Sequence, residues 1–168
     1  IPNADERART FGVIAQSRAQ LGDSNGAAAT IHTALRLVDQ IKGSEPRDPA
    51  LTEIVEAQIS TGDIKGALKS AAAMDRSFLQ FGVHSQIAEA QARTGDYAGA
   101  VQTAQKSHPR EEGLWRASTF QLIARIQAQQ GHAHEAEEWA VGLGFQSDVA
   151  WAFLGIAEGL LTQGKGNR

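Results

Sequence analysis

Two histidines form the clearest group in this sequence that could carry chemistry. His132 and His134 stand two residues apart, close to Glu135 and Glu138, and imidazole and carboxylate groups gathered at a turn can bind zinc. The spacing of the two histidines, however, does not identify a third zinc ligand in the sequence. The alternative is that His132 caps a helix, as aspartates do at the matching turns elsewhere in the chain. We therefore predict no metal site and no cofactor.

Residues that could act as nucleophiles or general acids lack the surroundings that those roles need. Ser17, Ser60 and Ser118 are not placed in a nucleophile elbow. Glu56 and Glu89 could form an acid–base pair, but equivalent positions in neighbouring repeats explain them more simply. The chain has no cysteine, which excludes disulfides, thiolate metal ligands and a cysteine nucleophile. We expect no catalytic residues and a protein that is not an enzyme.

Composition narrows the possible partners. The net charge is −3, so no basic excess is available to follow a nucleic-acid backbone. Apolar stretches end well short of the ~20 residues that a membrane span needs. Hydrophobic residues make up 42% of the chain and aromatic residues only 6%, and alanine is the commonest apolar residue, with 29 copies. We expect a soluble protein, cytoplasmic or periplasmic, and the alanine-rich, lysine-poor composition is typical of bacterial proteins.

An internal repeat organises the chain. Its clearest copy runs from Ile87 to Ala100, with the sequence IAEAQARTGDYAGA. Five glycines each follow an Ile by eight residues, and the intervals between them are 40, 33, 36 and 33 residues. Four of the copies also carry an Ala five residues after the glycine: Ala27, Ala67, Ala100 and Ala136. A period of this length is typical of stacked helix pairs.

Apolar residues recur at three- and four-residue spacing, which predicts helices, and no segment shows the alternation of a strand. The predicted helices span residues 4–21, 25–41, 49–61, 64–75, 83–94, 97–107, 114–130, 133–143 and 147–163. Residues 42–49 contain two prolines and a glycine and are expected to form a loop. Phe78, Leu79 and Phe81 are expected to start the next helix or to fill the seam between units. Asp23 or Ser24 is expected to cap the second helix.

The whole chain, residues 1–168, is predicted to be a single all-α domain. Its units are expected at about residues 4–41, 49–75, 83–107, 114–143 and 147–164. The fifth unit has a first helix without a second one. Helix pairs that cannot bury their apolar faces alone stack into an α-solenoid.

The repeated residues resemble the tetratricopeptide repeat (TPR), and the likeness covers nearly the whole chain from about residue 4. The family's Leu-Gly-like pair matches Ile14-Ala15 and its four counterparts, and the glycine between helices matches Gly22 and its counterparts. The family's aromatic residue two positions after that glycine is present only as Tyr97, which also leaves open a looser TPR-like array. The resemblance implies a right-handed superhelix of stacked antiparallel helix pairs.

The resemblance further implies a non-catalytic scaffold that binds a peptide or protein partner in a concave groove lined by the first helices. The first set of groove positions, two residues after each repeated Ile, holds Gln16, Glu56, Glu89, Arg125 and Glu158. The second set, four residues further on, holds Gln20, Ser60, Arg93, Gln129 and Thr162. Glu56 and Glu89 would favour a partner with a basic segment. The alternative is that these residues form solvated helix surfaces.

All three tryptophans lie in the last third of the chain, at Trp115, Trp139 and Trp151. Two of them are expected to fill seams that alanine cannot fill, and Trp151 is the best candidate for partner contact. A second function is also open, that of a structural or self-assembling subunit. The incomplete fifth unit would expose apolar residues for docking in a homo-oligomer, namely Phe153, Leu154, Ile156, Leu160 and Leu161.

Overall fold

The computed structural model describes residues 3–75, 77–107 and 113–166, and within these ranges it contains nine α-helices and no strand. The all-α prediction is confirmed. The helices are α1 Ala4–Gln20, α2 Ser24–Val38, α3 Ser44–Ser60, α4 Ile64–Ala72, α5 Ser77–Arg93, α6 Tyr97–Ser107, α7 Gly113–Gln129, α8 Ala133–Val141 and α9 Gln146–Gly166. Here α1, α3, α5, α7 and α9 are called the first helices, and α2, α4, α6 and α8 the second helices.

Several predicted boundaries differ from the structure or lie outside it, and α5 begins at Ser77 instead of residue 83. Helix α3 begins at Ser44, so most of the expected loop is helical. Pro46 lies in the first turn, where a backbone N–H has no partner within the helix, and Pro49 removes only one hydrogen bond. Helix α9 continues to Gly166 instead of ending before Gly164. The expected break at residues 108–112 and the last two residues of the tail lie outside the described residues.

The turns between paired helices follow from one repeated sequence, Gly-Asp-x-x-Gly. The first glycine has a positive φ, between 77° and 92°, at Gly22, Gly62, Gly95 and Gly131. The carboxylate of Asp23, Asp63 or Asp96 then accepts a hydrogen bond at 2.9 Å from the backbone N–H of the second glycine. A Cβ there would lie 2.0–2.2 Å from that carboxylate. The fourth turn has neither residue: His132 makes no side-chain cap, and Glu135 replaces the glycine.

The chain divides into two compact units, residues 1–87 and 88–168, and the division falls within α5. In the first unit α1 packs against α2 and α3, and α3 also packs against α2 and α4. The core is made of small residues around a few larger ones: Ala8, Ala15, Ile31, Leu51, Ile54, Val55 and Ala67. The expected role of Phe81 is confirmed, since it lies in α5 and is buried, whereas Phe78 is exposed.

In the second unit α7 lies at the centre and packs against α6, α8 and α9. Its core again combines alanines with a few large residues, among them Ala100, Phe120, Ile123, Ala136 and Ile156. Helices α7 and α9 approach so closely that a Cβ at Gly155 would lie 2.1 Å from the carbonyl oxygen of Gln121. The first helices of successive pairs therefore lie side by side within this unit. No helix in the described part of the chain is long and apolar enough to cross a membrane.

Candidate interaction surfaces

The polar residues predicted to line a groove have the same exposure pattern in all five first helices. The first set is partly buried at every position, and the second set is exposed at every position. In the first unit, Glu56 accepts a hydrogen bond from the Gln86 amide at 3.3 Å, and the Ser60 hydroxyl donates to the Glu56 carbonyl. Glu56 therefore lies at the contact between α3 and α5 with its carboxylate still reaching the surface.

In the second unit, the carboxylate of Glu89 pairs with the guanidinium of Arg93 one turn later. The Nε and Nη2 atoms of Arg93 lie 3.0 and 2.7 Å from the same Glu89 oxygen. Exposed pairs of this spacing contribute only about 0.3–0.5 kcal/mol to stability. The pair nevertheless neutralises much of the charge that Glu89 would offer to a basic partner, so Glu56 is the better acidic anchor.

Further along the second unit, groove-set residues join α7 to α9. The Gln121 amide donates to Glu158 at 2.9 Å, and the Gln129 amide donates to the Thr162 hydroxyl at 3.1 Å. The second carboxylate oxygen of Glu158 is buried without a hydrogen-bond partner in the described residues. Arg125, in the same set, is partly buried on α7. These side chains are thus fixed in position by the packing of one first helix on the next.

The three tryptophans differ in exposure. Trp139 is partly buried, packs 6.0 Å from the Phe120 ring and donates its indole N–H to Gln127 at 2.8 Å. Trp115 is 55% exposed, and Trp151 is partly buried. Trp139 therefore has the expected role of filling a seam. Trp115 exposes more of its surface than Trp151, although the sequence made Trp151 the best candidate for partner contact.

A polar pair that sequence reasoning missed recurs within the helix pairs. In the first, third and fourth pairs, the residue four before the turn glycine contacts the residue eight after it. Gln91 accepts from the Thr103 hydroxyl at 2.7 Å, and Arg18 donates to Thr30 at 3.0 Å. Gln127 and Trp139 occupy the same positions in the fourth pair, and Gln58 and Ser70, both buried, occupy them in the second. Aligning the five copies on the glycine would have revealed it.

The two histidines lie at the start of α8 and pair with glutamates. His132 Nδ1 lies 3.2 Å from Glu135, and the His134 ring lies 3.8 Å from Glu137 and 3.9 Å from Glu138. The pKa of Glu135 is lowered, first by a hydrogen bond from its own backbone N–H and then by His132. Within the described ranges, no group of three or more potential metal ligands comes together.

Another surface is a stripe on α9 whose counterparts in the other helix pairs are mostly buried, although Arg18, which matches Leu160 in the first pair, is exposed. The stripe consists of Ala150, Phe153, Ala157 and Leu160, and all four are exposed, Phe153 by 39% and Leu160 by 47%. The four residues that match Ala157 in the other first helices are fully buried: Ala15, Val55, Ala88 and Ala124. In the other pairs a second helix covers this position. We call these four residues the uncovered stripe.

Comparisons with protein-family models, with curated proteins and with solved structures gave no match to this chain. The TPR-like assignment therefore rests on the repeated residues alone.

Proposed function

We propose that this protein is a non-catalytic interaction module of the TPR-like class, which binds a peptide or protein along the exposed side of its first helices. Stacking of the helix pairs into a right-handed superhelix, with these helices on the concave side, is part of the proposal. The observation that carries it is the regular exposure of the groove sets. Each first helix holds one partly buried polar residue and one exposed polar residue a turn later.

The chemistry of this side favours a partner with both basic and polar groups. In the first unit the acidic anchor is Glu56, which the Gln86 amide holds in position. In the second unit Arg93, Arg125 and Glu158 carry charges of both signs, and Gln129 adds a polar amide. Mixed charges fix register and exclude wrong partners more than they add affinity.

Site-specific cross-linking would test the proposal. A photoreactive amino acid at exposed Ser60 or Gln129 should capture a defined partner from the source organism, whereas the same group at exposed Lys69 on a second helix should not. Glu56→Lys should reduce capture at Ser60, because it reverses the charge of the anchor. Equal capture at Ser60 and Lys69, or capture at Ser60 that Glu56→Lys does not reduce, would show that the groove sets are ordinary solvated surface.

A further inference from the structure

The uncovered stripe matches a surface that the same chain covers four times. In the other pairs the covering element is a second helix whose small or aliphatic residues, five and nine positions after the turn glycine, are buried. These residues are Ala27 and Ile31, Ala67 and Ala71, Ala100 and Ala104, and Ala136 and Ala140. A helix that packs over the stripe on α9 therefore needs small residues four positions apart.

The fourth residue of the stripe, Leu160, requires a different partner on the covering helix from the one its counterparts have. Leu160 stands where Gln91 meets a hydroxyl group and Gln127 meets an indole N–H, and where Gln58 is buried in the second pair. A helix over α9 would thus place an apolar residue opposite Leu160, directly before its second small residue.

The packing of α6 beside α8 indicates which charges would flank such a helix. Tyr97, Val101 and Gln102 of α6 line a surface pocket together with Glu135 and Trp139 of α8. Counted from the turn glycine, the positions of α8 that correspond to Val101 and Gln102 of α6 hold Glu137 and Glu138, and both side chains are exposed. A helix covering α9 would meet these two carboxylates.

The wider charge distribution points in the same direction. Between residues 126 and 164 the chain has five acidic residues and no lysine or arginine. Asp148 is buried in a pair with Arg116 and Glu158 is partly buried, which leaves Glu135, Glu137 and Glu138 exposed at the surface. Within the described residues, a second copy offers no free helix of the required kind, because the small residues of its second helices are already buried.

We propose that the uncovered stripe, with Glu137 and Glu138 beside it, binds a basic amphipathic helix from a separate protein. The helix carries two small residues four apart, a lysine or arginine directly before the first, and an apolar residue directly before the second. This inference rests on the proposed interaction function and places a second contact on a different face. Apolar contact provides the affinity, and the two glutamates select a basic partner.

The test uses two synthetic peptides with N-terminal fluorescein, titrated with the whole chain and followed by anisotropy. One has the sequence of residues 131–143, which contains Ala136, Ala140 and the apolar Trp139. The other is the same segment with its three glutamates replaced by lysine. The lysine peptide should bind at least tenfold more tightly, and Leu160→Glu in the chain should weaken its binding tenfold or more. Leu21→Glu, at a leucine 86% exposed in the first unit, should leave binding unchanged.

Equal affinity of the two peptides, or no saturation up to about 1 mM protein, would overturn the inference. The double variant Glu137→Lys and Glu138→Lys should remove the preference for lysine, and circular dichroism would show that each variant stays folded. Light scattering at several concentrations covers the self-assembly alternative: a dimer that Leu160→Glu abolishes would make a second copy the occupant. Cross-linking at Ser60 that still depends on Glu56 would leave the proposed function intact when the peptide test fails.

Discussion

Replacing Gly155 by alanine should destabilise the protein even though alanine is the better helix former. Its Cβ would lie 2.1 Å from the Gln121 carbonyl oxygen and 2.9 Å from the carbonyl carbon. Ordinary van der Waals contact needs at least 3.4 Å, so α9 would have to retreat from α7 by more than about 1 Å. The atoms in the way belong to the backbone of a packed helix, which cannot rotate aside as a side chain can.

The expected magnitude combines two opposing effects. Overpacking of a close contact costs about 1–3 kcal/mol. The intrinsic preference of a helix for alanine over glycine returns up to about 1 kcal/mol. With the full offset, the net loss in the free energy of unfolding should therefore be up to about 2 kcal/mol, with more if the nearby contact of Gly159 with Ala128 is also lost.

Gly82 provides the matched control. It lies inside α5, and no atom lies within 4 Å of the Cβ that alanine would add. Gly82→Ala should therefore raise the free energy of unfolding by up to about 1 kcal/mol. Thermal and urea unfolding followed by circular dichroism would measure both variants. If Gly155→Ala were as stable as Gly82→Ala, the close approach of α7 and α9 would be wrong.

Three further predictions concern single side chains. Asp96→Ala removes the cap on Gly99 and should cost about 1 kcal/mol in urea unfolding, whereas a cost near zero would mean that the cap is not formed. Burial lowers the pKa of His84, so the unfolded state binds the proton more readily than the folded state. The stability of the protein should therefore fall as the pH drops below about 6.5, and the fall should be smaller in the variant His84→Phe. Melting temperatures between pH 7.5 and 5.5 would measure both. Asp148→Ala leaves Arg116 buried and unpaired and should cost about 3 kcal/mol, while adding Arg116→Met should restore most of that loss; no recovery in the double variant would contradict the pairing.

Local structure was predictable because it depends on neighbouring residues. Three repeated residues predicted where helices end and begin: a glycine eight positions after Ile, an aspartate directly after that glycine, and an alanine five positions after the same glycine. The exceptions were the start of α5, at Ser77, and the start of α3, where two prolines suggested a loop. Proline is tolerated in the first turn of a helix, and the pattern of the sequence does not show how early that turn starts.

The candidate surfaces were predictable only in part. The two groove sets could be placed on one side of the first helices by counting from the repeated Ile. The pairing of Glu89 with Arg93 and the position of Gln121 beside Glu158 depend on rotamers and on the distance between helices, which spacing does not report. The buried pair of Gln91 and Thr103 was visible as a repeat but was not recognised as a contact.

The sequence by itself determined the all-α class and the helix pairs, because these follow from local periodicity and from an internal repeat. Only the tertiary structure decided which faces remain open. Ala157 has the same residue type and repeat position as three fully buried alanines, yet it is exposed. Burial depends on whether another helix packs over a residue, and that is a property of the folded chain.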